Sequence, residues 1–245
     1  MRYLILSDLH SNLEATQSVL ADASARGFDR TVVLGDIVGY GANPNEVIDL
    51  IRGLAPSASV RGNHDKAACG ITNGESFNDI ARTAVLWTRR VLTAENLEYL
   101  KSLPEGPAES DGFLIAHGSP VDEEDYIMGE ADAAHAFARR EFDVAFFGHS
   151  HFACIFAHAV GRCRLSMVSR DHFTMQLNEG SRYLVNPGSI GQPRDHNPRA
   201  SYAIFDPQNR CLELHRASYD VERAQSRINE AGLPGVLASR LALGV

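Results

Sequence analysis

A chain of 245 residues with 44% hydrophobic and 22% charged residues has the balance of a globular protein and enough length for a sizeable core. Its formal net charge of -8 argues against a partner such as duplex DNA, which is usually met by a basic face. The acidity does not exclude a small anionic ligand, because bound metal ions can reverse the charge locally. The opening run Tyr3 to Leu6 is too short for a signal peptide, and no stretch is long enough to span a bilayer, so a cytoplasmic protein without a membrane partner is expected. Cys69, Cys154, Cys163 and Cys211 are widely separated and read as small core residues rather than as a disulfide framework or a zinc knuckle.

The first predicted element is a strand over Tyr3 to Leu6, followed by a helical pattern in Leu13, Leu20 and Ala23. Thr31 to Leu34 is the next strand. Asn43 and Pro44 supply an N-cap and a first-turn proline for a helix carrying Val47, Ile48 and Ile51. Ala58 to Val60, Phe113 to Ala116 and Val144 to Phe147 complete five strands. Strands alternating with helices predict a largely parallel sheet with helices packed over it. A helical insertion, about residues 66–104, is marked by Phe77, Ile80, Ala84, Trp87 and Val91, then by Leu97, Leu100 and Leu103 behind Thr93. From about Ala153 to Ala217 the apolar pattern alternates, and a second, mostly antiparallel sheet is predicted there. C-terminal helices are expected at about 219–242. The fold class is α/β, one domain with two packed sheets.

Each of the five strands is followed by metal-binding residue types: Asp8 and His10, then Asp36, Asn63, His117, and finally His149 and His151. Loops at the carboxyl ends of parallel strands converge on one crevice, so residues distant in sequence would meet there. Four imidazoles, two carboxylates and an amide oxygen suit manganese, iron, cobalt, nickel or zinc better than magnesium or calcium. Seven ligands are too many for one tetrahedral ion and fit two divalent ions sharing a carboxylate. Such a pair can activate a water and clamp phosphoryl oxygens. Single histidines outside these motifs (His135, His158, His172, His196 and His215) read as structural or exposed. His64 reads as a proton donor to a leaving alkoxide, with Asp65 fixing its tautomer.

These residues resemble the calcineurin-like metallophosphoesterase superfamily, whose series Asp-x-His, Gly-Asp, Gly-Asn-His-Asp, His and Gly-His-x-His appears in order from about Tyr3 to Asp206. The resemblance implies a two-sheet α/β sandwich. It also implies that Asp8, His10, Asp36 and His151 hold one metal, and that Asp36 bridges to a second held by Asn63, His117 and His149. The family's catalytic histidine falls on His64, and Asn186-Pro187-Gly188-Ser189 looks like a turn common in its small bacterial and archaeal members. A phosphohydrolase cleaving phosphomonoesters or phosphodiesters of a small substrate, by metal-hydroxide attack, is the implied activity. Two alternatives stand beside it. One is a nucleotide- or phosphoprotein-directed phosphatase. The other is a non-catalytic scaffold, whose usual mark is loss of the metal ligands, and every ligand position here is filled.

Two positions depart from the pattern. Tyr40 stands where protein phosphatases of this type carry a phosphate-binding arginine, which weakens that reading, and Ser11 stands where many members have glycine. Arg194 and Arg61 are the candidates to replace the missing cation, with Arg194 read equally well as a solvated loop residue. The run Asp122-Glu123-Glu124-Asp125-Tyr126 reads first as a solvated loop, and alternatively as an acidic rim that repels long polyanions.

Overall fold

In the computed structural model, which describes all 245 residues, the opening strand β1 (Tyr3–Leu6) is buried throughout. Leu4 and Leu6 face a core shared with helices, whereas Tyr3 and Ile5 face a second core that lies between two sheets. Successive strand residues point to opposite faces, so an unbroken apolar run is what a strand covered on both sides requires. β1 pairs in parallel with β2 (Arg30–Val33), and β2 pairs in parallel with β3 (Ala58–Ser59). On its other edge β1 pairs antiparallel with β11 (Ala200–Asp206), which continues through β12 (Cys211–Ala217) to β9 (His172–Gln176).

The second sheet runs in the order β4 (Ala108–Ser110), β5 (Phe113–Ile115), β6 (Val144–Phe146), β10 (Arg182–Pro187), β7 (Ala153–Ala159) and β8 (Arg162–Met167). Its centre, β5, β6 and β10, is parallel, and its edges are antiparallel. Phe113, Phe146 and Phe205 pack edge-on between the sheets at ring separations of 5.3 to 5.6 Å.

This division corrects the expected one. The early strands are split between the sheets, and the strands of residues 153–217 extend both of them rather than forming a sheet of their own. Alternation identifies a strand and its buried face, but its hydrogen-bonding partner is decided by tertiary packing. The carboxyl ends of β1, β2 and β3 in one sheet and of β5 and β6 in the other nonetheless open on the same side of the molecule.

Helix α1 (Leu13–Arg26) begins at Asn12, whose side chain accepts from Ala15 N, and stops at Gly27. With α2 (Pro44–Gly53) it covers the outer face of the β1 sheet. Helices α3 (Asn63–Cys69), α4 (Asp79–Val91) and α5 (Ala94–Ser102) occupy the expected insertion, α3 starting slightly before it. α6 (Glu130–Arg139) packs Ala133, Ala136 and Phe137 on the outer face of the β5–β6 sheet. The last two helices, α7 (Val221–Glu230) and α8 (Gly235–Leu243), build an apolar cluster against which Tyr40 and Trp87 rest. No helix is long and apolar enough to cross a membrane.

Candidate metal centre

The five strand ends meet. One oxygen or nitrogen from each of Asp8, His10, Asp36 and His151 falls within a cluster no wider than 4.8 Å, and the same holds for Asp36, His117 and His149. All six are buried, and Asp36 belongs to both groups. Its Oδ2 lies 3.6 Å from His10 Nε2 and 3.4 Å from His117 Nε2, while its Oδ1 accepts from His64 N at 2.9 Å. Asn63 Oδ1 lies 3.0 Å from His117 Nε2, which places the amide beside the second group.

Main-chain carbonyls set the tautomers. His10 Nδ1 donates to the Val38 carbonyl at 3.1 Å, His117 Nδ1 to that of Leu34 at 2.9 Å, and His151 Nδ1 to that of Gln192 at 2.7 Å. Each ring therefore turns Nε2 inward, the orientation that metal-binding histidines take when an outer partner holds the other nitrogen. His10 Nε2 and His151 Nε2 are 3.1 Å apart. Burial holds both rings well below the usual histidine range, so both are neutral and two lone pairs confront each other. A cation between them removes that repulsion, and the donor set fits a divalent transition metal.

The second group titrates differently. Burial opposes charge on His117, but Asp36 and Asp8 raise it to about 9; burial likewise opposes the Asp36 charge, and His117, His64 and His10 hold that carboxyl well below its usual range. Each member of the buried pair thus favours the charged form of the other, and a metal bound through His117 Nε2 would have to displace any proton held there.

Backbone strain concentrates here. Asp8, His10, Asp36, His149 and His151 all have positive φ, between 47° and 65°. A non-glycine residue in that region is disfavoured by about 1–2 kcal/mol, and several adjacent cases are held only by the surrounding structure. The turn at Asn186 to Ser189 supplies much of the restraint. Asn186 Nδ2 donates to the Gly148 carbonyl and to Ser150 Oγ, and Ser189 Oγ donates to the Asp8 carbonyl. Close approach explains Gly62: a Cβ there would lie 2.0 Å from Asp36 Oδ1 and displace the shared carboxylate.

His64 lines the same site, stacked on Phe77 at 4.5 Å and edge-on to His10 at 4.9 Å. Its Nδ1 is buried without a partner, against Gly39, where any Cβ would lie 2.4 Å away. The proposed orienting role of Asp65 is therefore absent. Asp65 Oδ1 accepts from Val38 N at 3.1 Å and Oδ2 from Gly62 N at 3.0 Å, so the carboxylate ties the loop after β2 to the start of α3. Asp65→Ala should lower stability by about 1–3 kcal/mol for each orphaned N–H. Urea unfolding would measure this, and unchanged stability would contradict the tie.

Arg61, expected as a candidate phosphate-binding cation, is already paired with carboxylates. It forms an ion pair with Glu123 at 3.1 Å and with Glu105 at 2.9 Å, and Glu123 is shared with Lys66 at 2.7 Å. The acidic loop is consequently neither freely solvated at Glu123 nor a bare anionic rim; it clamps α3. Its Tyr126, which sequence reasoning did not single out, stacks on His149 with ring centres 3.7 Å apart. Arg194, by contrast, faces the cluster. Its Nη2 donates to Tyr40 Oη at 3.3 Å and to Gln192 Oε1 at 3.1 Å, and Tyr40 packs on both His10 and His64. The positive charge of Arg194 acts on Asp8, His10, His64, His149 and His151.

The profile of the calcineurin-like phosphoesterase superfamily domain matches residues 1–210, and the chain belongs to that superfamily. Members of the superfamily are metal-dependent phosphoesterases. A metallophosphoesterase from Sphaerobacter thermophilus is 42% identical, with a TM-score of 0.90 covering 100% of this chain and 99% of the other. An uncharacterized protein of Methanocaldococcus jannaschii is 39% identical over 98% of this chain and 97% of its own. A hypothetical protein from Pyrococcus horikoshii shares the fold, with a TM-score of 0.78 at 21% identity over 100% and 98% of the two chains.

Proposed function

We propose that the protein is a phosphohydrolase that holds two divalent transition-metal ions, manganese, iron, cobalt, nickel or zinc, and cleaves small phosphomonoesters or phosphodiesters. Asp8, His10, Asp36 and His151 would hold one ion, and Asp36, Asn63, His117 and His149 the other. The observation that carries this reading is the pair of neutral, inward-turned imidazoles of His10 and His151, 3.1 Å apart beside a carboxylate common to both groups. When bound, the two ions would activate water for in-line attack and hold the phosphoryl oxygens.

The side chains supply the rest. Asp36 fixes the spacing between the two groups through one carboxylate, and its other oxygen anchors α3 at His64 N. Arg194 offers a guanidinium to the non-bridging oxygens, the position left open by Tyr40. His64 projects Nε2 toward the leaving group, because Nδ1 is closed off against Gly39. Tyr126, half-exposed above His149, shapes the mouth. Retention of every ligand type disfavours a non-catalytic scaffold.

The test is a panel of phosphomonoesters, phosphodiesters and dinucleotides assayed with each metal. Turnover of at least one ester class, dependent on transition metal, is expected. A folded protein that turns over none of the panel with any of these metals would overturn the assignment.

A further inference from the structure

On the outer face of the second sheet, the cross-strand pairs Cys154 with Met167 and Phe156 with Leu165 set four apolar side chains next to one another on β7 and β8. Helix α6 covers only part of this row. Leu165 packs into the cluster that Ala133, Ala136 and Phe137 build, whereas Met167 lies outside it and stays 52% exposed. Ile127 and Met128, on the segment that enters α6, close the opposite side, and Met128 is 56% exposed. The result is an open cleft of about 150 Å³ with no charged residue in its lining. Apolar surface gathered at one place, rather than scattered singly, marks a binding site. Two of the chain's four methionines stand on its rim, and a flexible thioether adapts to ligands of varied shape.

The cleft starts at the metal cluster. Ser150, which lines it, sits between the ligand candidates His149 and His151, and its hydroxyl accepts from Asn186 Nδ2 at 3.0 Å. Ile127 and Met128 directly follow Tyr126, whose half-exposed ring is stacked on His149 with centres 3.7 Å apart. Both walls thus depart from residues that belong to the second ligand group or touch it. An ester held by its phosphate at the cluster must direct its carbon skeleton outward, and on this side it meets the open face of Tyr126 and then the cleft. A space of this volume admits a benzene-sized group. A strongly polar group would lose its hydration there and find no partner.

We propose that the cleft receives the organic group of the phosphoester, so that the preferred substrates are esters of an aromatic or aliphatic alcohol rather than of a sugar or other polyol. This rests on the phosphohydrolase reading above and names the substrate class of the same site.

Binding of methyl-, butyl- and phenylphosphonate to the manganese-loaded full chain tests it, by calorimetry and by inhibition of nitrophenyl ester hydrolysis. The three share a headgroup and a carbon–phosphorus bond that is not hydrolysed, so differences among them report the organic group. Butyl- and phenylphosphonate should bind about tenfold or more tightly than methylphosphonate, as burial of several apolar carbons allows. Met167→Glu, at an exposed position, should reduce that ratio to about threefold or less, and Met167→Leu should keep it. Binding of methylphosphonate with no gain for the larger two, or a ratio unchanged by Met167→Glu, would overturn the subsite. A wild-type dimer that Met167→Glu dissociates, with no ratio among the phosphonates, would name a second copy of the chain as the occupant instead. A wild type that binds no phosphonate and hydrolyses no ester would remove the phosphohydrolase reading, and the subsite with it.

Discussion

Asp36→Asn is expected to abolish phosphoester hydrolysis, with a fall in kcat of about a thousandfold or more and little change in fold. The substitution preserves the shape of the side chain and removes its charge. In the native site that charge is buried, shared between the two ligand groups and set 3.4 Å from His117 Nε2. Two ions held by one carboxylate, as proposed, would lose their common anchor together, and loss of metal stabilisation worth several kcal/mol corresponds to about three powers of ten in rate. His117 is raised to about 9 chiefly through Asp36 and should return toward neutrality in the variant, because burial alone opposes its charge. Steady-state rates and circular dichroism on the same preparation would show the effect. A variant with more than a tenth of wild-type kcat would remove Asp36 from the centre of the account.

The second large effect belongs to His64. Its ring is held between Tyr40 and Phe77 at centroid distances of 4.4 and 4.5 Å, which fixes its plane without any hydrogen bond to Nδ1. Burial lowers its pKa to about 4, with the charge of Asp36 acting in the opposite direction. An arriving anionic ester adds negative charge next to the ring and shifts that balance toward the protonated form. His64→Ala should cost about 10²–10⁴-fold on esters of poorly acidic alcohols, whose departing oxygen needs a proton. Nitrophenyl esters, whose leaving group departs as a stable anion, should lose much less. Equal losses across a series of leaving groups would assign His64 to packing rather than to proton transfer.

The convergence of the aspartates and histidines was legible because its signal is local. Asp8, His10, Asp36, His117, His149 and His151 are rare residue types placed directly after apolar runs, and strand ends in an α/β sheet share an edge of the molecule. Asp65 misled for an equally physical reason. It neighbours His64 in sequence, but both lie in α3, and adjacent residues on a helix do not face each other. The partner of Arg61 was invisible because Glu123 is remote along the chain and comes close only through the second sheet.

Topology was the least legible feature. β1 and β11 pair from opposite ends of the chain, and nothing in either strand's alternation names the other. α6 escaped notice because its buried face consists mainly of alanines, Ala133 and Ala136, beside Phe137. The carbonyls of Leu34, Val38 and Gln192, which fix three imidazole tautomers, carry no residue-type signal at all. Arg194 could be named as a candidate because a cation was missing at Tyr40, but only packing shows that it rests against that tyrosine.

The central claim is that one buried carboxylate joins two metal sites, and metal stoichiometry tests it most directly. Protein stripped with a chelator, reloaded with manganese or another of the five metals and freed of excess ions should retain about two ions per chain by elemental mass spectrometry. Two retained ions would agree with a pair of sites sharing Asp36; a well-folded chain that retains one ion or none under every metal would contradict it.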